Sequence, residues 1–305
     1  MNTNNALSGR GVFFAALAYF LWGILPLYWK LLAVIQPFHI LAFRILFSLL
    51  LVGCLLLIQK KITWLALFGD RKKGLLLLLT AFTISFNWGL FIWAVNNGHT
   101  VESSLGYYIN PLVSIVLGLC FLGEKLLPLQ WAAFALAAAG VLILTVFSGT
   151  LPLISLGLAL SFGFYGLLKK NAPLSALESL GAETLAAAPL GLLLLFINFN
   201  GEPHIDRQAV FYVAELPPHS WILLACCGAV TAFPLYCFAK GARLLPLSTI
   251  GFIQFIAPTL QFVVGVFIFG EYFPPENYFA FGCIWLAALL YIVSLKLAAH
   301  AGKGV

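Results

Sequence analysis

The apolar residues of this chain neither alternate nor recur every third or fourth position. They run in long blocks broken by short polar stretches. A strand wetted on one face alternates with period two, and a helix at a water surface shows a single apolar stripe. Blocks that are apolar all round belong to helices whose solvent is lipid, and about 20 such residues cross a bilayer. The pattern predicts ten spanning helices, at 11–30, 39–58, 74–96, 102–122, 128–147, 152–169, 179–198, 221–240, 247–269 and 277–297. Their connections are short, except for the polar stretch from Phe199 to Ser220, which carries Pro203, Pro217 and Pro218. The first block ends in Leu27, Tyr28, Trp29 and Lys30 without a small-residue cleavage site, so it reads as an anchor and not a removed leader. The polar arm Met1–Gly9 is expected to be mobile.

Composition agrees. The chain has 305 residues, 62% hydrophobic and 9% charged, whereas soluble domains carry about 25% charged residues. The six cysteines (Cys54, Cys120, Cys226, Cys227, Cys237, Cys283) lie in apolar runs without metal-ligand spacing and read as small buried hydrophobes. No phosphate-binding loop, clustered acids or His/Cys set appears, so neither a cofactor nor a metal nor catalysis is expected. The net charge of +6 does not point to nucleic acid, because the basic residues sit in short loops.

Placing the N-terminus in the cytoplasm puts Arg10, Lys60, Lys61, Arg71, Lys72, Lys73, Lys125, Lys169, Lys170, Lys240, Arg243, Lys296 and Lys303 inside, against Lys30 and Arg207 outside. Basic loops stay in the cytoplasm, so this asymmetry predicts both termini there.

An internal repeat organises the chain. Pro111, Gly118, Gly123, Glu124, Pro128 and Phe134 recur 147 residues later as Pro258, Gly265, Gly270, Glu271, Pro275 and Phe281. Trp22-Gly23 matches Tyr165-Gly166, and Gly98 matches Gly241, at an offset of 143. Two five-helix halves are expected, 1–148 and 149–305. Because five is odd, the halves enter the membrane from opposite sides, as inverted repeats do in secondary transporters. The matched prolines Pro111 and Pro258 are expected to break helices 4 and 9 near the midplane.

Polar and aromatic residues crowd near those prolines. Helix 3 carries Asn87, Trp88, Trp93, Asn96 and Asn97, and helix 4 carries Ser103, Ser104, Tyr107, Tyr108 and Asn110. Helix 9 carries Ser248, Thr249, Gln254, Thr259 and Gln261. Such side chains either bond a neighbouring helix or line a wet cavity, and singly the first reading wins. As a set they suggest a cavity with uncharged donors and acceptors and aromatic walls, to which Trp22, Tyr28, Tyr165 and Tyr236 add faces for an organic or cationic small-molecule substrate. Trp29, Trp64 and Trp221 read as interfacial-belt residues.

Two charges fall inside predicted spans, Arg44 in helix 2 and Glu183 in helix 7. Each lies roughly 7 Å deep from opposite faces of a core about 30 Å thick, so their levels differ by roughly 15 Å. Separate roles are expected: Arg44 toward an anionic group or helix-end carbonyls, Glu183 toward Lys169, Lys170 or Arg243, or else both snorkelling to the headgroups. Glu124 and Glu271 read as helix-end caps. The small residues of helices 5 and 10, among them Ala137, Ala138, Ala139, Gly140, Ala280, Gly282, Ala287 and Ala288, suit close helix packing or a homodimer seam.

The segments YFLWGILPLYWK at 19–30, LGYYINPLV at 105–113, LSFGFYGLLK at 160–169 and LPLSTIGFIQFIAP at 245–258 resemble the RarD family of EamA-type permeases in the drug/metabolite transporter superfamily. The resemblance covers roughly 10–297. It implies a multi-pass permease of the bacterial inner membrane with ten helices and both termini cytoplasmic, in a family often labelled by chloramphenicol sensitivity. It transfers no catalytic motif. The reading that results is an all-α membrane protein that carries a small polar or amphipathic metabolite or drug by alternating access. A lipid-carrier flippase and a membrane enzyme acting on lipid-linked substrates are the alternatives.

Overall fold

The computed structural model describes residues 8–33, 35–61, 70–96, 99–148, 153–172, 174–198, 204–205, 216–270 and 275–301. Trp64, Asn97, Gly98, Arg207, Glu271, the arm 1–7 and most of the loop 199–215 lie outside the described residues, as do the side chains of Asn96, Ser103 and Ser104. The protein is all-α. Its helices are α1 (Gly9–Leu31), α2 (Pro37–Ile58), α3 (Arg71–Asn96), α4 (Thr100–Leu122), α5 (Pro128–Ser148), α6 (Leu153–Asn171), α7 (Ala176–Leu195), α8 (Pro218–Leu244), α9 (Leu247–Gln254), α10 (Ile256–Val263) and α11 (Glu276–Ala301). Helices α9 and α10, with a π-helical turn at Val264–Ile268, form the ninth span, so the described residues make ten spans long and apolar enough to cross a membrane. After α7, Ile197–Asn198 (β1) pairs antiparallel with His204–Ile205 (β2).

Local chemistry sets these limits. Helix α7 begins three residues earlier than its apolar block because Ser175 and Glu178 form a capping box: the Glu178 amide donates to Ser175 Oγ, and the Ser175 amide to the Glu178 carboxylate at 3.0 Å. Proline at its first turn starts α8 at Pro218, since proline has no N–H to leave unpaired there. The chain leaves α4 through Gly123 and the ninth span through Gly270, both left-handed (φ 62° and 69°), a conformation that costs glycine nothing. These glycines are 147 residues apart.

The ninth span is interrupted, at Phe255. Pro258 cannot donate to the Gln254 carbonyl four residues back; the Phe255 amide bonds Phe252 instead, the turn tightens, and helix resumes. Helix α4 differs from expectation: Pro111 does not break it, and the helix runs on through Leu122. One missing bond is not enough to open a helix held along its length by α6 and α9. Nor are the matched prolines special in kind, because Pro26, Pro189 and Pro234 also sit inside continuous helices.

The main interfaces join the first five spans to the second five: α1 with α8, α9 and α10, α2 with α7 and α8, α3 with α6 and α7, α4 with α6 and α9, and α5 with α11. Lipid offers no hydrophobic drive between helices, so close approach must come from small residues. A Cβ on Gly228 would lie 2.5 Å from the Phe47 carbonyl, and one on Gly140 would lie 2.8 Å from the Ala280 carbonyl. Ala133, Ala137, Ala280 and Ala287 are fully buried between α5 and α11. Ala137, Gly140, Ala280 and Ala287, proposed for a dimer seam, are therefore used within the chain. The outer surface is apolar, with Phe13, Leu57, Phe82, Val146, Ile222 and Phe279 exposed, as hydrocarbon requires.

Gly228→Ala is expected to destabilise the detergent-solubilised protein by about 1–3 kcal/mol, because the obstructing atoms are α2 backbone. Gly282→Ala, which meets nothing within 4 Å, should be neutral or stabilising. Thermal unfolding of the two variants side by side checks the contrast.

Candidate functional site

A half-enclosed cavity of about 290 Å³ runs from the middle of the bundle toward the end where α1 meets α2 and α3 meets α4. Its lining includes seven of the polar and aromatic candidates named from sequence: Trp22, Asn87, Trp88, Tyr107, Asn110, Gln254 and Gln261. Arg44 and Pro258 line it as well. The other candidates sit elsewhere. Tyr108 packs on Phe281 and donates to the Pro258 carbonyl at 3.4 Å. Tyr236 stacks under the Lys240 ammonium, Tyr165 is buried below the cavity floor, and Pro111 presses its carbonyl toward Gly251. Trp29, expected at the membrane interface, instead lines the cavity. Tyr19, Pro26, Phe91, Phe162 and Thr231 were not singled out from sequence. Nothing distinguishes them from packing residues until the helices are assembled.

Several polar groups in the wall have structural duties that follow from the backbone. Pro26 leaves the Trp22 carbonyl without its helical donor, and Gln261 Nε2 supplies one from across the cavity at 3.2 Å. Asn87 Nδ2 donates to the Leu158 carbonyl and to Ser161 Oγ, both at 2.9 Å. Gln254 Oε1 accepts from Tyr19 and Ser114 hydroxyls at 3.3 and 3.4 Å. Asn110 is 4% exposed and its Oδ1 has no partner.

Arg44 does not meet Glu183. Its Nε donates to Thr231 Oγ1 at 3.1 Å, and its guanidinium lies 4.8 Å from the Trp29 ring centre and 5.5 Å from that of Trp88. Among the described residues, no acidic side chain lines the cavity.

The opposite end of the bundle is shut. Tyr19, Phe162, Tyr165 and Phe238 form an aromatic floor, with Tyr165 and Phe238 stacked at 5.8 Å. Beneath it Lys169 Nζ meets Glu183 Oε1 at 2.6 Å, with the two side chains 1% and 3% exposed. Ser179 and Tyr165 hydroxyls complete the carboxylate at 2.9 and 3.0 Å. Lys169, read from sequence as a loop cation, is thus a buried one. Farther out, the turn after Gly123 carries Glu124 onto the start of α9, where its carboxylate takes the Leu247 amide (2.6 Å), the Ser248 amide (2.8 Å) and the Ser248 hydroxyl (2.7 Å). Those first-turn amides have no helical acceptor, so a carboxylate from another helix caps them. Lys170 joins it, 3.6 Å from Glu124 and 2.5 Å from the Leu245 carbonyl. Arg243 donates to the Leu174 carbonyl.

Residues 9–146 match the model of the EamA-like transporter family. The chain is 42% identical over 304 residues to the uncharacterized transporter YojE of Bacillus subtilis, covering 98% of this chain and 99% of that one. It is 40% identical to the protein RarD of Escherichia coli, covering 93% and 94%. It is 33% identical to the chloramphenicol-sensitive protein RarD of Pseudomonas aeruginosa, again over 93% and 94%. A solved crystal structure at 16% identity superposes with a TM-score of 0.68 over 94% of this chain and 97% of the other, which concerns the fold alone.

Removing one partner of the buried ion pair leaves the other charge unpaired, so Lys169→Met or Glu183→Leu alone should each lose about 3–5 kcal/mol. The double variant Lys169→Met/Glu183→Leu should recover much of that loss. A double variant that is simply the sum of the two singles would contradict the pairing; thermal unfolding of all four proteins measures it.

Proposed function

Because this chain belongs to the EamA-like transporter family, in the group of the RarD proteins, we propose that it is a secondary transporter of the bacterial inner membrane that carries a small polar or amphipathic metabolite or drug by alternating access. One observation supports this most strongly. The midplane cavity is open toward one end of the bundle and shut toward the other by stacked aromatics, a buried ion pair and a charged clasp. A channel would need no such one-sided closure. A lipid carrier would need a far larger opening, and an enzyme a cluster of reacting groups. The chloramphenicol in the name of the Pseudomonas relative makes that antibiotic a cargo to test, and no more.

In this reading the closed end is cytoplasmic, in keeping with its concentration of basic residues, and the cavity faces outward. The moving units are the halves 1–148 and 149–305. The interfaces that pair helices across the boundary would be remade as a tilt of one half against the other closes one end and opens the other. The Glu124 clasp fits that role: it ties the end of α4 in the first half to the start of α9 in the second. Glu183 is the proposed coupling group. Protonating it would strand Lys169, so taking up a proton and loosening the closed end are one event. Exchange that keeps its pH dependence in Glu183→Gln would remove Glu183 from coupling. The cavity is built within one chain, and a homodimer through the fifth and tenth spans would use the outer face of α5 and α11, where Ala139 and Gly282 remain exposed.

Purified protein in proteoliposomes should show saturable counterflow of at least one labelled solute from a panel of amino acids, organic acids, amines and chloramphenicol. Asn110→Trp, which fills the cavity, is expected to cut that flux at least ten-fold without unfolding the protein. Folded protein that exchanges no solute, or a flux indifferent to the filled cavity, would contradict the reading.

A further inference from the structure

Among the described residues the cavity wall holds one formal charge, and none of them neutralises it. Arg44 lies eight residues into α2, in the half of the helix nearest Pro37, and is half-buried among aromatic rings. A guanidinium does not deprotonate in a protein, so this charge is permanent. Trp29 and Trp88 occupy its faces. Stacking of this kind offsets part of the desolvation but uses none of the N–H donors, which radiate from the edge. Of the five donors, Nε alone has an acceptor, Thr231 Oγ1. The remaining edge is the fork that matches a carboxylate with two parallel hydrogen bonds. A cation left uncompensated in low dielectric is costly, and a bound anion removes that cost. Amines meet the reverse situation: the cavity repels them and offers no carboxylate.

A second group points the same way. Asn110 Oδ1 is a buried acceptor with no donor, in a wall whose other amides, Asn87, Gln254 and Gln261, already have hydrogen-bond partners. An occupant that brings a hydroxyl or N–H satisfies it. The same wall also presents ring and aliphatic surface, from Trp22, Phe91, Phe162 and Leu235.

Building on the transport reading, we infer that the cargo is a small organic monoanion: a carboxylate gripped by Arg44, a hydrogen-bond donor received by Asn110, and an apolar or aromatic body between them. Thr231 is a positioning residue, since it holds the guanidinium by Nε and leaves the other donors unused.

Ligand-dependent thermal unfolding of the full chain tests this, because binding to the folded state raises its apparent stability. The probes are 3-phenyllactate and 4-hydroxyphenylacetate, each with its carboxamide, together with 3-phenylpropionate and phenethylamine. The acids should raise the unfolding temperature, with the carboxamides needing at least ten-fold higher concentration and phenethylamine inactive. Arg44→Gln should weaken the acids at least thirty-fold. Should that variant unfold, Asn110→Asp, which adds a carboxylate to the same wall, is expected to abolish acid binding. 3-Phenylpropionate, lacking the hydroxyl, should bind about ten-fold more weakly than 3-phenyllactate, and equal binding removes Asn110 from recognition. Carboxamides or the amine binding as well as the acids, or acid binding that survives both variants, overturns the anionic class while leaving transport standing. A panel silent for every charge class overturns it too; only a simultaneous absence of counterflow would bring down the transport reading with it.

Discussion

A helix in hydrocarbon has no water to complete its hydrogen bonds, and each orphaned backbone group costs several kcal/mol. Much of this protein is arranged around that constraint. Pro26 deprives the Trp22 carbonyl of a donor, and the side chain of Gln261 replaces it from another helix. Just past the interruption of the ninth span, the Pro258 carbonyl accepts a bond from Tyr108. The first amides of α9, bare because a helix starts there, are covered by Glu124. Each repair runs between helices that are distant in sequence. The same bonds therefore decide which helices touch, and all three sit at the cavity or its closed end.

Charge is partitioned by depth. Toward the closed end, Lys169, Lys170, Glu124 and Glu183 are paired or bonded to backbone, and they hold the ends of α4, α6, α7 and α9 together. In the cavity, Arg44 has rings and a threonine hydroxyl but, among the described residues, no carboxylate. The contrast separates a latch, whose charges cancel locally, from a receptor, whose charge is completed by what enters.

Spans, class and family were legible in the sequence because hydrophobic blocks and a few glycine and proline positions report local physics. The apolar block alone misplaces the start of α7 by three residues, because the capping box of Ser175 and Glu178 that starts it lies ahead of that block. What escaped was whatever depends on assembly. Trp29 has the composition of an interface residue, but α1 turns it inward over Arg44. Lys169 is adjacent to Lys170 at a helix end and reads as a loop charge, yet the α6–α7 turn folds it against Glu183. Pro111 and Pro258 look equivalent, but only the second accompanies a break, because helix continuity depends on what packs beside it. Seven of the uncharged candidates line the cavity, and Tyr108, Tyr165 and Tyr236 do not, since a tyrosine near the midplane is as useful bonding a neighbour as facing a solute.

The central claim is that one cavity is exposed to the two membrane faces in turn. With the six native cysteines replaced, Asn110→Cys in the cavity wall and Ser248→Cys at the clasp can be labelled by an impermeant maleimide added to right-side-out or inside-out vesicles. The account predicts that Cys at 110 reacts from the outer face, and that disrupting the clasp with Glu124→Gln shifts its reactivity toward the inner face while exposing Cys at 248. Reactivity at 110 from both faces at once, unchanged by Glu124→Gln, would mean an open pore and contradict alternating access.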